Sequence, residues 1–84
     1  MAGSVFEEIP GIGASLASDI ESLGYTSIID LRGESAATMY DRLQARAGAH
    51  IDRCVLYCFR CAVYYAEGGR DVERLKWWNW KDDL

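Results

Sequence analysis

Glycines divide this chain into short helical segments, and the positions of these glycines are the strongest constraint on its fold. Before Gly24, four apolar residues occur at i, i+1, i+4 and i+7: Leu16, Ala17, Ile20 and Leu23. Apolar residues at that spacing share one helical face, and glycine readily adopts the left-handed conformation that ends a helix. The pattern predicts a helix that stops at Gly24, and the same combination recurs along the chain.

Two further helices are predicted by their N-terminal caps. A short connector helix over 27–32 begins with the capping box of Ser27 and Asp30, in which a hydroxyl and a carboxylate each accept a backbone amide hydrogen bond. Ser35 can cap the next helix, and Gly48 is placed to end it. The apolar positions of that helix follow the i, i+3, i+4, i+7, i+11 pattern: Ala36, Met39, Tyr40, Leu43 and Ala47.

The helix predicted from about Ile51 to Glu67 differs from the others because apolar residues occur nearly all round it. That composition is typical of the central helix of a bundle. Asp71 can cap a last short helix through Leu75, which runs into a tryptophan-rich tail. No segment shows the alternation of a strand, so we expect one all-α domain of five to six short helices over residues 1–84.

Length and charge limit the functional classes open to the chain. Its 84 residues allow a single compact core, and a formal charge of −4 argues against a nucleic-acid or anionic-membrane partner. The charge is unevenly spread, because residues 1–31 contain acids but no Lys or Arg. Residues 42–76 hold four acids and seven basic residues: Arg42, Arg46, Arg53, Arg60, Arg70, Arg74 and Lys76. A local basic face is therefore compatible with the net negative charge.

The N-terminal segment and the cysteines bear on where the protein works. The first residues lack the basic and apolar stretches of a secretory signal, and the apolar runs of the chain are too short to span a membrane. We therefore expect a cytoplasmic protein without a membrane partner. The three cysteines are an odd number within eight residues, which is typical of reduced thiols rather than of a disulfide framework.

The segment from Ile9 to Gly13, with the sequence IPGIG, looks like a helix-hairpin-helix motif over about 4–23. Proline fixes one φ angle, the glycines permit a tight turn, and the isoleucines can fill the space between the flanking helices. Amides at the start of the second helix can face a phosphate, which makes four residues candidate contacts: Gly11, Ile12, Gly13 and Ala14. That helix carries Asp19 and Glu21 where DNA-binding hairpins commonly have basic residues, so the sequence favours the alternative of a structural turn.

A second hairpin-like unit is predicted over 35–67, around the tight connector 46–50. Four residues that can bind phosphate surround this connector: Arg42, Arg46, His50 and Arg53. With 27–32 as the bridging helix, the two units resemble the paired helix-hairpin-helix arrangement, which belongs to the same broad class as sterile-alpha-motif-like bundles. The last short helix and the tail, 71–84, follow the second unit.

The helix after this connector presents a basic and aromatic stripe at i, i+4, i+7 and i+11: Arg53, Tyr57, Arg60 and Tyr64. Arginine can bind phosphate through two parallel hydrogen bonds, and tyrosine can stack on a base or donate a hydrogen bond. In the alternative interpretation, Arg53 and Arg60 pair with the acidic N-terminal third and lie over the tyrosine rings, so that they join the two halves of the bundle. The sequence leaves both interpretations open.

Four further segments are similar to a bacterial family. They are 40–43, 52–57, 59–66 and 75–82, with the sequences YDRL, DRCVLY, FRCAVYYA and LKWWNWKD. With the IPGIG hairpin they resemble the pathogenicity-locus family of the Cdd type, helix-hairpin-helix proteins that are sometimes labelled mitomycin-resistance proteins. The resemblance extends from about Ile9 to Asp82 and implies little about biochemical activity.

Cys54, Cys58 and Cys61 have the spacing by which radical-SAM enzymes hold an iron–sulfur cluster, and His50 lies one helical turn before them. Within one helix the first and last cysteine lie about 10 Å apart along the axis, so these four residues cannot surround a metal ion. We expect thiols that pack like small apolar side chains. We predict no metal, no other cofactor, no small-molecule substrate and no catalytic residue, and therefore no enzyme.

The tail contains Trp77, Trp78 and Trp80, and two roles are open to it. These rings can anchor a partner, or they can fold back over the core, which the small size of the domain favours. The function we predict is non-catalytic, sequence-independent contact with DNA or another phosphate backbone. The alternative is a protein-interaction module, such as a homodimer, in which the hairpins are structural and contact no nucleic acid.

Overall fold

The computed structural model of the chain describes residues 4–76, and the predicted roles of the three tryptophans lie outside the described residues. The described part contains three α-helices, three 3-10 helices and no strand. The α-helices are α1 (Ala14–Ser22), α2 (Ala36–Ala47) and α3 (Arg53–Ala66), and the 3-10 helices are η1 (Val5–Glu8), η2 (Ile28–Leu31) and η3 (Glu73–Leu75). The prediction of an all-α fold is confirmed.

The ends of α2 and the start of α3 follow from local hydrogen bonds. The Ser35 hydroxyl accepts a hydrogen bond from the Thr38 amide at 3.2 Å, and Gly48 adopts the left-handed conformation with φ of 66°. The Asp52 carboxylate accepts a hydrogen bond from the Cys54 amide at 2.9 Å. Both predicted ends of α2 are confirmed, whereas α3 begins later than predicted because Asp52 is its cap.

The capping box predicted at the start of η2 is present. The Asp30 carboxylate accepts hydrogen bonds from the amides of Thr26 and Ser27 at 3.0 and 3.1 Å. These bonds, led by the one from Thr26, hold the pKa of Asp30 below its ordinary value. The element itself is a single 3-10 turn, because its four residues between two caps are too few for several α-helical hydrogen bonds.

Helix α3 lies at the centre of the domain, as its all-round apolar composition predicts. It contacts α2, η2 and η3, and it contributes six buried residues: Leu56, Cys58, Phe59, Cys61, Ala62 and Ala66. Phe6 of η1, Leu31 of η2 and Met39 of α2 are fully buried in the same core. No charged side chain is buried anywhere between residues 4 and 76. The core therefore depends on apolar packing around one helix.

Within residues 4–76, none of the helices combines the length and the hydropathy that a membrane span requires.

Candidate functional site

The Pro10–Gly11 turn between η1 and α1 is closed by its own backbone. The Ile12 amide donates a hydrogen bond to the Ile9 carbonyl at 3.0 Å, and Gly11 has a φ of 85°. Proline second and glycine third are the residues that a type II turn requires. Both isoleucines are buried, as the sequence predicts. The Ile12 amide is therefore committed to the turn, which corrects its place among the predicted phosphate contacts.

The start of α1 leaves backbone amides exposed. Gly13 is the N-cap and has no side chain that could satisfy them, and the Gly13 carbonyl accepts the first helical hydrogen bond from Ala17. The first amides of a helix have no acceptor within the helix. Gly11, Gly13 and Ala14 are all exposed. Gly13 and Ala14 therefore lie exposed at the first turn of a helix that carries no basic residue.

Arg42 lies against α1 and is engaged there. Its Nη2 donates a hydrogen bond to the Leu23 carbonyl at 2.6 Å, and its Nη1 donates to the Tyr25 hydroxyl at 3.2 Å. The guanidinium also lies 5.7 Å from the centre of the Tyr25 ring, whose hydroxyl donates to Glu34. Arg42 therefore joins α1 to α2, and its guanidinium is engaged there rather than at the connector between α2 and α3.

Two more arginines donate to carbonyls at the end of α3. The Nε atom of Arg32 donates a hydrogen bond to the Ala66 carbonyl at 2.6 Å, and Nη1 of Arg70 donates to the Tyr65 carbonyl at 2.8 Å. The last carbonyls of a helix lack partners within it and carry partial negative charge. A guanidinium group donates hydrogen bonds to these carbonyls and also supplies the opposite charge. This role of arginine was missed by the sequence analysis, since the sequence carries no signal for pairing across 34 residues.

We expect the Arg42→Ala variant to lose about 1–3 kcal/mol of unfolding free energy, because a charged donor is removed from the Leu23 carbonyl and from Tyr25. Urea unfolding followed by circular dichroism measures the loss. Arg46→Ala is the matched control, since Arg46 is exposed one turn later on the same helix. Equal stability of the two variants would show that the Arg42 contacts do not support the fold.

The connector between α2 and α3 is pinned to α2 by two side chains. The Ile51 amide donates a hydrogen bond to the Gln44 side chain at 3.0 Å, and the Tyr40 hydroxyl donates to the Ile51 carbonyl. Three of the predicted phosphate ligands flank or belong to this connector, and all three are exposed: Arg46, His50 and Arg53. The fold therefore presents them from one short, tethered segment.

The predicted basic and aromatic stripe is present on α3. The Arg53 Nε donates a hydrogen bond to the Tyr57 hydroxyl at 3.3 Å, and this bond raises the pKa of Arg53. The guanidinium carbons of Arg53 and Arg60 lie 5.8 and 5.7 Å from the centre of the Tyr57 ring. Both distances lie within the range of cation–π contacts. Two cations therefore share one tyrosine along this helix.

The contacts of Arg53 test the interpretation in which this residue pairs with the acidic N-terminal third and lies over a tyrosine ring. Among residues 4–76, Arg53 forms no ion pair with the acidic N-terminal third, and its side chain lies against Tyr57. Arg53 as a whole remains exposed despite that contact. The expected packing of arginine on tyrosine is confirmed for Arg53, whereas the expected ion pair is wrong, because Tyr57 lies within reach on the same helix.

The three cysteines lie on α3 and are free thiols: Cys58 and Cys61 are buried and Cys54 is half-buried. Burial raises the pKa of Cys58 to about 11 and also raises the pKa of Cys54. Between residues 4 and 76, no group of His, Cys, Asp or Glu side chains is arranged to hold a metal ion. At neutral pH the buried thiol of Cys58 is protonated and packs in the core.

Comparison with known proteins places the chain in a family. It matches the Pathogenicity locus family, Cdd1, over residues 2–84. The chain belongs to this family. A curated relative from Streptomyces lavendulae, named mitomycin resistance protein McrB, is 32% identical over 78 residues, which cover 93% of this chain and 71% of the relative. No solved structure matches the chain. The resemblance inferred from the sequence is confirmed.

Proposed function

We propose that this member of the Pathogenicity locus family is a non-catalytic helix-hairpin-helix module that binds a nucleic-acid phosphate backbone without sequence preference. The observation that carries the proposal is the exposed cluster at the α2–α3 connector, formed by Arg46, His50 and Arg53, which continues into the Tyr57 ring on α3. We call these four residues the connector face. It combines donors for phosphate with an aromatic ring in one continuous segment.

The arrangement of the elements supports the paired helix-hairpin-helix assignment. The first unit is η1, the Pro10–Gly11 turn and α1, and the second is α2, the connector and α3, with η2 between the units. Each unit contains a glycine with positive φ at its turn, Gly11 at 85° and Gly48 at 66°. The first arm of the first unit is shorter than in a full helical hairpin, because η1 has four residues.

Electrostatics determines how such a module can bind. The chain carries a net charge of −4, so long-range attraction to a polyanion is absent and contact depends on the local charge of the connector face. Arg53 is suited to this role because it is an exposed residue whose Nε donates a hydrogen bond to the Tyr57 hydroxyl, which helps to orient its side chain. The proposal therefore implies modest affinity that falls steeply as salt rises.

The first hairpin has a secondary part in the proposal. The amides of the exposed residues Gly13 and Ala14 can donate hydrogen bonds to a second phosphate, which the positive end of the α1 dipole also attracts. Glu21 on the same helix accepts a hydrogen bond from Ser4 at 2.6 Å, so its negative charge is held beside this hairpin. We therefore assign most of the binding to the connector face.

Fluorescence anisotropy of a labelled single-stranded oligonucleotide, titrated with the full chain at about 50 mM salt, tests the proposal. We expect saturable binding that unlabelled oligonucleotides of unrelated sequence displace equally well, since backbone contacts carry no sequence information. Duplex DNA of the same length shows whether unpaired bases strengthen the contact. Absence of binding to both would overturn the proposal and leave protein interaction, including self-association, as the function to test.

A further inference from the structure

A surface groove lies between the first turn of α2 and the C-terminal half of α3. Its volume is about 390 Å³, a size typical of sites that hold small molecules. The groove has an apolar part, an aromatic ring and two side chains of opposite charge, and the residues that line it include Ala36, Ala37, Arg60, Val63, Tyr64 and Glu67. We call this the α2–α3 groove.

We propose that the α2–α3 groove holds one unpaired base of a single-stranded nucleic acid whose phosphate backbone lies on the connector face. The inference rests on the proposed function, because the connector face has to hold the strand. It adds the class of ligand, single-stranded rather than duplex nucleic acid. A base that is stacked and paired inside a duplex has to leave the stack before it can enter a pocket on a protein.

The groove is continuous with the connector face through Arg60. The Arg60 guanidinium lies 5.7 Å from the centre of the Tyr57 ring, and its side chain also lines the groove. The Arg53 guanidinium lies 5.8 Å from the centre of the same Tyr57 ring. Arg60 follows Arg53 by seven residues on one helical face, which is a rise of about 10 Å along α3. A strand held at Arg53 therefore reaches the groove by following this face.

The Tyr64 ring, which lines the groove, is held in place by residues that follow α3. Its hydroxyl accepts a hydrogen bond from the Asp71 amide at 3.1 Å, and the Arg74 guanidinium lies 5.7 Å from the ring centre. Gly69 lies directly against the ring, since a Cβ atom there would come within 2.3 Å of it. A ring held in this way loses little conformational freedom when a base packs against it. Every base has an aromatic face, so this wall of the groove requires no particular sequence.

The charges of the groove determine which part of a nucleotide can occupy it. Arg60 lies where the groove meets the connector face, and Glu67 follows seven residues, or about 10 Å, further along α3. The Glu67 carboxylate accepts a hydrogen bond from the Gly33 amide at 3.0 Å, which holds it there. A phosphate is attracted by Arg60 and repelled by Glu67. An uncharged base can pack between them, on the half-buried side chains of Ala36 and Val63.

Anisotropy titrations with two labelled single strands of equal length test the inference. One strand carries ordinary bases and the other is an abasic analogue throughout, so both present the same number of phosphates. We expect the full chain to bind the strand with bases about 10-fold more tightly, because packing of a base on an aromatic ring adds to the phosphate contacts. This ratio should be the same at about 50 and 200 mM salt, since the salt dependence comes from the phosphates that both strands share.

The Ala37→Leu variant locates the effect of the bases. Ala37 lines the groove and is exposed, so leucine fills the groove there, and its high helix propensity preserves α2. We expect this variant to bind both strands with the affinity that the unmodified chain has for the abasic strand. Ala45→Leu, at an exposed position of α2 outside the groove, is the matched control and should keep the ratio of about 10.

Circular dichroism establishes that each variant is folded. If Ala37→Leu does not fold, Ala37→Met replaces it, because the flexible methionine side chain adapts to the space. Equal affinity of the unmodified chain for both strands would overturn the inference and leave the phosphate contact of the proposed function intact. A ratio that survives in the folded Ala37 variant would also overturn it, because the bases would then contact another part of the protein. Binding of neither strand would overturn the proposed function and the inference together.

Discussion

Replacement of Phe59 by alanine is expected to remove about 3–5 kcal/mol from the free energy of unfolding. Phe59 is fully buried on α3, the helix on which α2, η2 and η3 all pack. The loss combines the transfer free energy of the ring with the cavity that it leaves. For 84 residues a total stability of about 4–13 kcal/mol is typical, so the variant should lose a large part of it.

Urea unfolding followed by circular dichroism measures this loss through the midpoint and slope of the transition. Val72→Ala is the control, because Val72 is 69% exposed and its truncation should change stability by less than about 0.5 kcal/mol. A similar loss in both variants would contradict the central position of α3. A Phe59→Ala midpoint equal to that of the unmodified chain would do the same.

Reversal of charge at both Arg46 and Arg53 is expected to weaken binding to single-stranded DNA at low salt by about 100-fold. Two exposed cations of the connector face become anions beside the phosphate backbone, so attraction is replaced by repulsion. Both positions are exposed, and neither packs in the core. The fold should therefore persist, which a melting curve of the Arg46→Glu, Arg53→Glu double variant checks.

The matched control for this pair is Arg70→Glu, which makes the same change of charge per residue at the opposite end of α3. Arg70 packs on Tyr65, 3.6 Å from the ring centre, and its side chain donates to nearby carbonyls. We expect this variant to retain most of the affinity of the unmodified chain. If Arg53→Glu alone and Arg70→Glu weaken binding equally, net charge rather than the connector face controls the contact.

Local features of the fold could be predicted from the sequence because they depend on neighbouring residues. The Ser35 cap and the Gly48 stop of α2 are formed within one or two turns, so their residue types suffice to place them. The central position of α3 follows from apolar residues around its whole circumference. The short η1 was harder to place, because four residues carry no full helical period.

Hydrogen bonds from arginine side chains to distant backbone carbonyls could not be predicted from the sequence. Arg42 donates to a carbonyl 19 residues away and Arg32 to one 34 residues away, and neither partner differs in sequence from any other backbone carbonyl. The stripe on α3 could be predicted because Arg53 and Tyr57 are four residues apart on one helix. Whether such a stripe faces solvent or another element depends on the packing of the whole domain.

The salt dependence of DNA binding tests the central claim most directly. Anisotropy titrations of single-stranded DNA between about 50 and 200 mM salt give the slope of log affinity against log salt concentration, which reports the number of neutralised phosphates. We expect a slope of about −1.4 to −2 for the unmodified chain, and a slope that is less steep by about 0.7 for Arg53→Gln, because each neutralised phosphate of a single strand contributes about −0.7. Binding that is insensitive to salt, or an unchanged slope in Arg53→Gln, would contradict a phosphate contact at the connector face.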